Sequence, residues 1–229
     1  MSIVKSFKNL SPFEFWLWIC SVIVIFCCFI FGNNFNLLTL IASLIGVTAL
    51  IFVAKGDVIG QVLTVVFSIV YAIISFKFRY YGEMITYLGM TTPMAVLAVI
   101  SWIRNPFSEK QVKVAKLKKG QVIIMLILAV VVTAAFYFIL KYFNNANLFI
   151  STLSITTSFL ASYLTYCRSS FYGLAYAAND VVLIILWILA SVKDISYLPM
   201  VICFVIFFIN DMYGFFNWQR MQKNQTKAS

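Results

Sequence analysis

Eight runs of about 20 mostly apolar residues follow one another along this chain, and they constrain it more than any other feature. They fall near 13–31, 36–54, 58–76, 82–102, 121–141, 147–166, 171–190 and 197–217. At roughly 1.5 Å rise per residue, each is long enough to cross the ~30 Å hydrocarbon core of a bilayer as a helix. A soluble domain carries about 25% charged residues, whereas this chain is 10% charged and 63% hydrophobic. The pattern predicts an all-α integral membrane protein with about eight transmembrane helices. Lys5 and Lys8 precede the first run as in a secretory leader, but the run is too long and no small-x-small cleavage site follows, so it is predicted to be a span.

The net charge of +10 could point to nucleic acid, but the basic residues sit in short loops and topology accounts for them. With eight spans, both termini and the loops near 55, 104–120 and 168 share one side. Only Lys77, Arg79, Lys141 and Lys193 of the 17 basic residues fall on the other. The excess of Lys and Arg predicts both termini in the cytoplasm. In the long loop "RNPFSEKQVKVAKLKKG", Asn105-Pro106 is a possible helix start and the lysines suit anionic headgroups, although an inside-positive hinge between two halves explains the segment more simply.

Those halves look related. Lys55 with Gly60 and Arg168 with Gly173 share one offset, and Trp102 and Trp218 close equivalent three-span groups. Four spans separate equivalent points, so the copies have the same orientation, as in transporters built from parallel repeats. The expected division is an extra N-terminal helix at 1–35, a first three-helix repeat at 36–103 and a basic loop with linker helix at 104–145. A second repeat at 146–218 and a cytoplasmic tail at 219–229 complete it.

Against this apolar background, "YAANDVVLIILW" places Asn179 and Asp180 about 13 Å into the seventh span. An aspartate at the bilayer centre costs about 2.5–3.5 kcal/mol, and such residues normally face a bundle interior or an aqueous pathway. Helical spacing groups Gly173, Tyr176, Asp180 and Trp187 on one face, with Tyr172 and Asn179 beside them. The eighth span returns with Asn210 and Asp211 at a matching depth, and Tyr213 and Trp218 extend that face. Aromatic rings beside amide and carboxyl groups suit a flat, polar, ring-bearing ligand. The alternative is that the Asn and Asp side chains staple two helices together.

Two polar stripes accompany the pairs: Gln61, Thr64, Ser68, Tyr71 and Ser75 on the third span, and Ser151, Ser154, Ser158, Ser162 and Thr165 on the sixth. Membrane hydroxyls commonly bond back to the preceding turn, so these are expected to serve packing, with Gln61 the better cavity candidate. In "YYGEMITYLGMTTP", Glu83 lies near the outer interface where Lys77 or Arg79 could pair with it. Tyr87, Met90 and Met94 follow on one face, and Pro93 can kink the helix. The positions equivalent to the Asn-Asp pairs in the first half are Val66, Phe67, Met94 and Ala95, so a site here should be asymmetric.

The chain has no histidine, which removes the commonest metal ligand and proton shuttle. Cys20, Cys27, Cys28, Cys167 and Cys203 lie in or beside apolar runs without ligand spacing and read as small hydrophobes. No metal, cofactor or ATP-binding motif is expected. Asp180 and Asp211 on adjacent helices raise the possibility of an intramembrane aspartyl protease, but the glycine-x-glycine-aspartate motif is missing and no other catalytic signature occurs. A small-solute transporter is therefore expected rather than an enzyme.

The one-plus-three, one-plus-three plan, with "YGEMITYLGMTTP", "YAANDVV" and "NDMYGFFNW", resembles the PnuC family of vitamin transporters over roughly 36–218. The resemblance implies a SWEET-like three-plus-one-plus-three core with an extra N-terminal helix. It further implies a bacterial cytoplasmic membrane, nicotinamide riboside uptake by facilitated diffusion, and trapping by a cytosolic kinase. It also implies a homo-oligomer, often a trimer. Members that take nicotinamide riboside typically carry W-x-x-W seven and four residues ahead of the central Asn. Aligned on Asn179, those places hold Tyr172 and Ala175, with Tyr176 one further on. Deoxynucleosides, thiamine or riboflavin therefore stay open as ligands. The candidate binding residues are Gln61, Tyr87, Tyr172, Tyr176, Asn179, Asp180, Trp187, Asn210, Asp211 and Tyr213.

Overall fold

The computed structural model describes residues 3–31, 37–77, 81–109, 111–145 and 147–228. Arg79, Lys110 and the expected domain boundaries at 36 and 146 lie outside them. A short helix α1 (Ile3–Lys8) precedes α2 (Pro12–Phe31), α3 (Leu37–Ala54) and α4 (Val58–Lys77). The next span combines α5 (Tyr81–Thr86), a π-helical turn Tyr87–Thr91 and α6 (Thr92–Ile103). After strands β1 (Pro106–Ser108) and β2 (Gln111–Val112) come α7 (Lys119–Tyr142), α8 (Leu148–Tyr166), α9 (Tyr172–Lys193) and α10 (Leu198–Ala228). Among the described residues, 8 helical segments are long and apolar enough to cross a membrane, at the places the apolar runs predict.

Two bundles, α3–α4–α6 and α8–α9–α10, form the centre, and the third helix of each packs on the first helix of the other. The cross-contacts match residue for residue. Trp102 Nε1 on α6 donates to Thr165 O on α8 at 2.9 Å, and Trp218 Nε1 on α10 donates to Val53 O on α3 at 2.9 Å. Val53 and Thr165 are each the penultimate residue of their helix. Both indole rings are fully buried and lie 5.2 Å apart, so they plug one end of the bundle on its midline. Trp102→Phe keeps the aromatic packing but loses the indole bond, leaving Thr165 O with the Arg168 N–H at 3.0 Å. It is expected to cost about 0.5–1.5 kcal/mol, seen as a lower melting temperature of the detergent-solubilised protein.

The loop between the halves runs beneath this plug. Asn105-Pro106 opens a strand, not a helix, because the backbone here pairs across β1 and β2 and then with both halves. Val112 N donates to Gly56 O at 3.0 Å and Ala115 N donates to Arg168 O at 2.9 Å. Gly56 (φ 74°) and Arg168 (φ 56°) each sit two residues beyond their helix and adopt the left-handed conformation that reverses the chain. Holding a non-glycine residue there costs on the order of 1–2 kcal/mol, and the strap bond at Arg168 O helps offset it. Residues 219–228 of the expected cytoplasmic tail continue α10. Gln225 accepts from Val114 N at 2.8 Å and donates to Val112 O at 3.0 Å, and no Gly or Pro follows Gly214 in the helix.

The extra N-terminal elements lock onto the same end. Glu14, buried on α2, pairs with Lys55 at 2.8 Å and accepts from the Tyr213 hydroxyl at 3.0 Å. Lys55 also donates to Asn9 O. Ser6 Oγ donates to Asp57 Oδ2 at 2.5 Å, while Asp57 Oδ1 caps α4 by accepting from Ile59 N at 3.0 Å, the usual role of Asp at a helix start.

Candidate functional site

A cavity of about 190 Å³ lies between the two halves, above the tryptophan plug. That is space for on the order of ten waters. Its wall comes from α3, α4, α5, the π-helical turn, α8, α9 and α10, with Leu140 of α7. The π turn decides what the fourth span presents. Pro93 has no N–H to give Gly89 O and crowds that carbonyl, so the helix widens and Thr92 N bonds Tyr87 O instead. Such turns recur at functional sites. Here the extra residue puts Tyr87 and Thr91 together in the cavity. Met90 and Met94, expected on the Tyr87 face, pack outward against Phe136 and its neighbours.

Aromatic side chains form two banks. Tyr71 and Tyr87 lie 4.5 Å apart, with Phe67 5.6 Å from Tyr71. Trp187 stacks on Phe204 at 6.5 Å with only 13° between the planes. Between them stand the polar groups. Asn179 Oδ1 accepts from Thr157 Oγ1 at 2.8 Å, which fixes the amide with its NH2 left for a ligand. Tyr176 OH is 3.1 Å from Ser162 Oγ. The Asp180 and Asp211 carboxyls, on neighbouring antiparallel helices, stand within hydrogen-bonding reach of each other, and Asp180 Oδ2 is buried with no partner. Gly173 permits that approach: a Cβ there would lie 2.6 Å from Asp211 O and from Phe215 N. Glu83 also lines the cavity. Lys77 is exposed and not paired with it, and Arg79 lies outside the described residues.

Seven of the ten candidate residues line this space: Gln61, Tyr87, Tyr176, Asn179, Asp180, Trp187 and Asp211. Three do not. Asn210 Nδ2 donates to Ser21 Oγ at 3.0 Å and to Ile206 O at 2.8 Å, so it staples α10 to α2. Tyr213 turns the same way, to Glu14. Asn210 sits one position before Asp211, about 100° around the helix, and the docking of α2 claims that face. Tyr172 is 1% exposed and packs on Trp218 at 4.6 Å; it belongs to the floor with the plug. Trp218, expected to extend the Asp211 face, lies in that plug as well. The expectation that the hydroxyl stripes serve packing fails in part. Thr64, Tyr71, Ser151, Ser154 and Ser158 line the cavity, and Ser68 bonds Thr92 at 2.8 Å. The expected asymmetry is seen: the first half brings Gln61, Glu83 and the tyrosine bank, the second the Asn179 amide and both aspartates.

A membrane-spanning bundle whose two halves enclose a polar, aromatic-lined cavity defines a small-solute transporter. The sequence model of the nicotinamide mononucleotide transporter family matches residues 36–220. The chain is 23% identical over 204 residues to the nicotinamide riboside transporter PnuC of Neisseria mucosa, covering 86% of this chain and 77% of that protein. The fold matches the crystal structure of the vitamin B3 transporter PnuC with a TM-score of 0.82 at 22% identity, over 98% of this chain and 100% of that one. The chain belongs to the PnuC family of nicotinamide mononucleotide transporters. Membership in a transporter family, with this fold, sets aside the protease reading of Asp180 and Asp211.

Proposed function

We propose that this chain takes up nicotinamide riboside, by facilitated diffusion between its two halves, with a cytosolic kinase trapping the product by phosphorylation. The observation that carries the ligand is the charge of the cavity. Its described lining includes Glu83, Asp180 and Asp211 and no Lys or Arg, and the chain has no His. A phosphate would meet three acids and no cation, which favours the riboside over the mononucleotide. The aromatic banks offer stacking faces for a ring, and the Asn179 amide with the carboxyls offers partners for a carboxamide and sugar hydroxyls.

The repeats at 36–103 and 146–218 are the moving bodies in this reading, supported by the matched tryptophan and strap bonds. The basic loops, the plug and both termini belong on the cytoplasmic side of a bacterial inner membrane, in keeping with the bias of Lys and Arg. A homotrimer is proposed from the family resemblance. A deoxynucleoside is the second reading, because Tyr172 and Ala175 stand where riboside carriers hold tryptophans and neither lines the cavity.

Calorimetric titration of purified protein decides between these. Nicotinamide riboside is expected to bind at least a hundredfold more tightly than its 5′-phosphate. Tighter binding of deoxyadenosine than of the riboside would select the second reading. Tyr87→Ala should weaken the favoured ligand by about two- to twelvefold, the worth of one aromatic face, with Tyr87→Phe near wild type.

A further inference from the structure

We propose that Ser21 and Glu14, on the extra N-terminal helix α2, are positioning residues that hold α10 in the rotation that aims Asp211 into the cavity. The inference rests on the reading above only in taking Asp211 as a ligand contact, whichever ring-bearing ligand it meets. Asn210 Nδ2 donates to Ser21 Oγ at 3.0 Å, and the Tyr213 hydroxyl donates to Glu14 Oε1 at 3.0 Å. With 3.6 residues per turn, Asn210 and Tyr213 lie about 100° and 160° around α10 from Asp211, in the same sense. α2 therefore grips α10 from behind the acid.

The grip is itself anchored. Trp18 Nε1 donates to Thr48 Oγ1 on α3 at 3.1 Å, and Glu14 pairs with Lys55, just beyond α3, at 2.8 Å. Ser21 Oγ donates in turn to Leu17 O at 2.8 Å, so its hydroxyl cannot swing away without losing a second bond. Nearer the plug, α10 is held by Asn217 Nδ2 donating to Ala54 O at 2.9 Å and by Trp218. Asp211 stands two turns beyond Trp218, about 10 Å along the axis, and the bonds to α2 carry the hold up to its level. A side-chain atom about 5 Å from the axis moves by about 2 Å for every 20° of rotation. That is enough to break a hydrogen bond to a ligand.

On the pairing of Trp102 with Trp218, α6 answers to α10, and Ala95 stands where α10 has Asp211. Met94, in the place of Asn210, packs into the apolar cluster of Phe136 and Leu140 on the linker helix α7. Apolar packing is non-directional, whereas a hydrogen bond requires alignment. The half with an acid to aim has directional contacts at this level, and the half with alanine there is packed by methionine.

The test is calorimetric titration of the full-length protein with nicotinamide riboside, beside a melting curve for each variant. Ser21→Ala removes one bond, and Tyr213→Phe removes the other while keeping its ring against Phe13; neither residue lines the cavity. Each should weaken binding by about two- to tenfold, and the two together by about tenfold or more. Ser21→Thr keeps the hydroxyl and should bind as the wild type does. In an Asp211→Asn background the same double change should shift Kd by less than about twofold, since no acid remains to aim. A wild-type Kd in the double variant, whatever its melting temperature, overturns the proposal and leaves the bonds as staples. Equal weakening with and without Asp211 also overturns it, because the contacts then act on the cavity as a whole. Should Asp211→Asn bind too weakly to titrate, the serine variants decide: a lost hydrogen bond makes alanine the worse of the two, and mere packing makes threonine the worse. If the wild type binds deoxyadenosine and not the riboside, the vitamin reading falls, and the same variants titrated with deoxyadenosine test the positioning role.

Discussion

Replacing Asp180 by alanine is expected to abolish uptake into proteoliposomes while the protein still folds and purifies as the wild type does. Asp180 is held by little. Its carboxyl meets Asp211, one oxygen has no partner, and the side chain borders empty space. Truncation therefore removes no core packing and leaves Asp211 room for a water. A hydrogen bond to a charged group contributes about 1.5–3 kcal/mol, so the lost ligand contact alone should weaken binding by about ten- to 150-fold. Uptake is to be read beside a melting curve and a direct binding titration. An Asp180→Ala protein that transports normally would make the pair a helix staple, as Asn210 is, and would move the site to the Gln61 and Tyr87 wall.

That contrast between Asp180 and Asn210 shows where the chain could be read unaided. A bilayer dictates span length, and it makes a buried acid expensive, so the spans and the Asp180–Asp211 pair stand out from composition and depth alone. What a periodic pattern cannot tell is which neighbour claims a given face. Asn210, Tyr213 and Asp211 sit on one short stretch of α10, and only the docking of α2 through Ser21 and Glu14 separates the first two from the third. The hydroxyl stripes were ambiguous for a related reason. A serine that bonds its own helix and one that faces a ligand look alike until the cavity is in place. The π turn moved Met90 and Met94 off the expected face because one extra residue shifts everything that follows. The strap from Val112 to Ala115 works through backbone bonds, which leave no trace in side-chain identity.

Gly173→Ala should do more damage than any single change of a cavity side chain. In most helices this substitution helps, since alanine is favoured over glycine by about 0.5–1 kcal/mol. At Gly120, where an added Cβ meets nothing within 4 Å, that small gain or no change is the expected result. At Gly173 the same methyl would lie 2.6 Å from Asp211 O and Phe215 N and 3.0 Å from Phe215 Cα. Those are backbone atoms of α10 and cannot rotate away, so the two helices must part. Overpacking of this kind costs about 1–3 kcal/mol. Parting α9 from α10 also pulls Asp180 from Asp211 and loosens Trp218 from Tyr172, which opens the floor beneath the ligand. The expected outcome is a lower melting temperature together with loss of ligand binding, against a Gly120→Ala control that keeps both. If Gly173→Ala melted and bound as the control does, α9 and α10 would have to stand further apart than here, and the contact between the two aspartates would go with them.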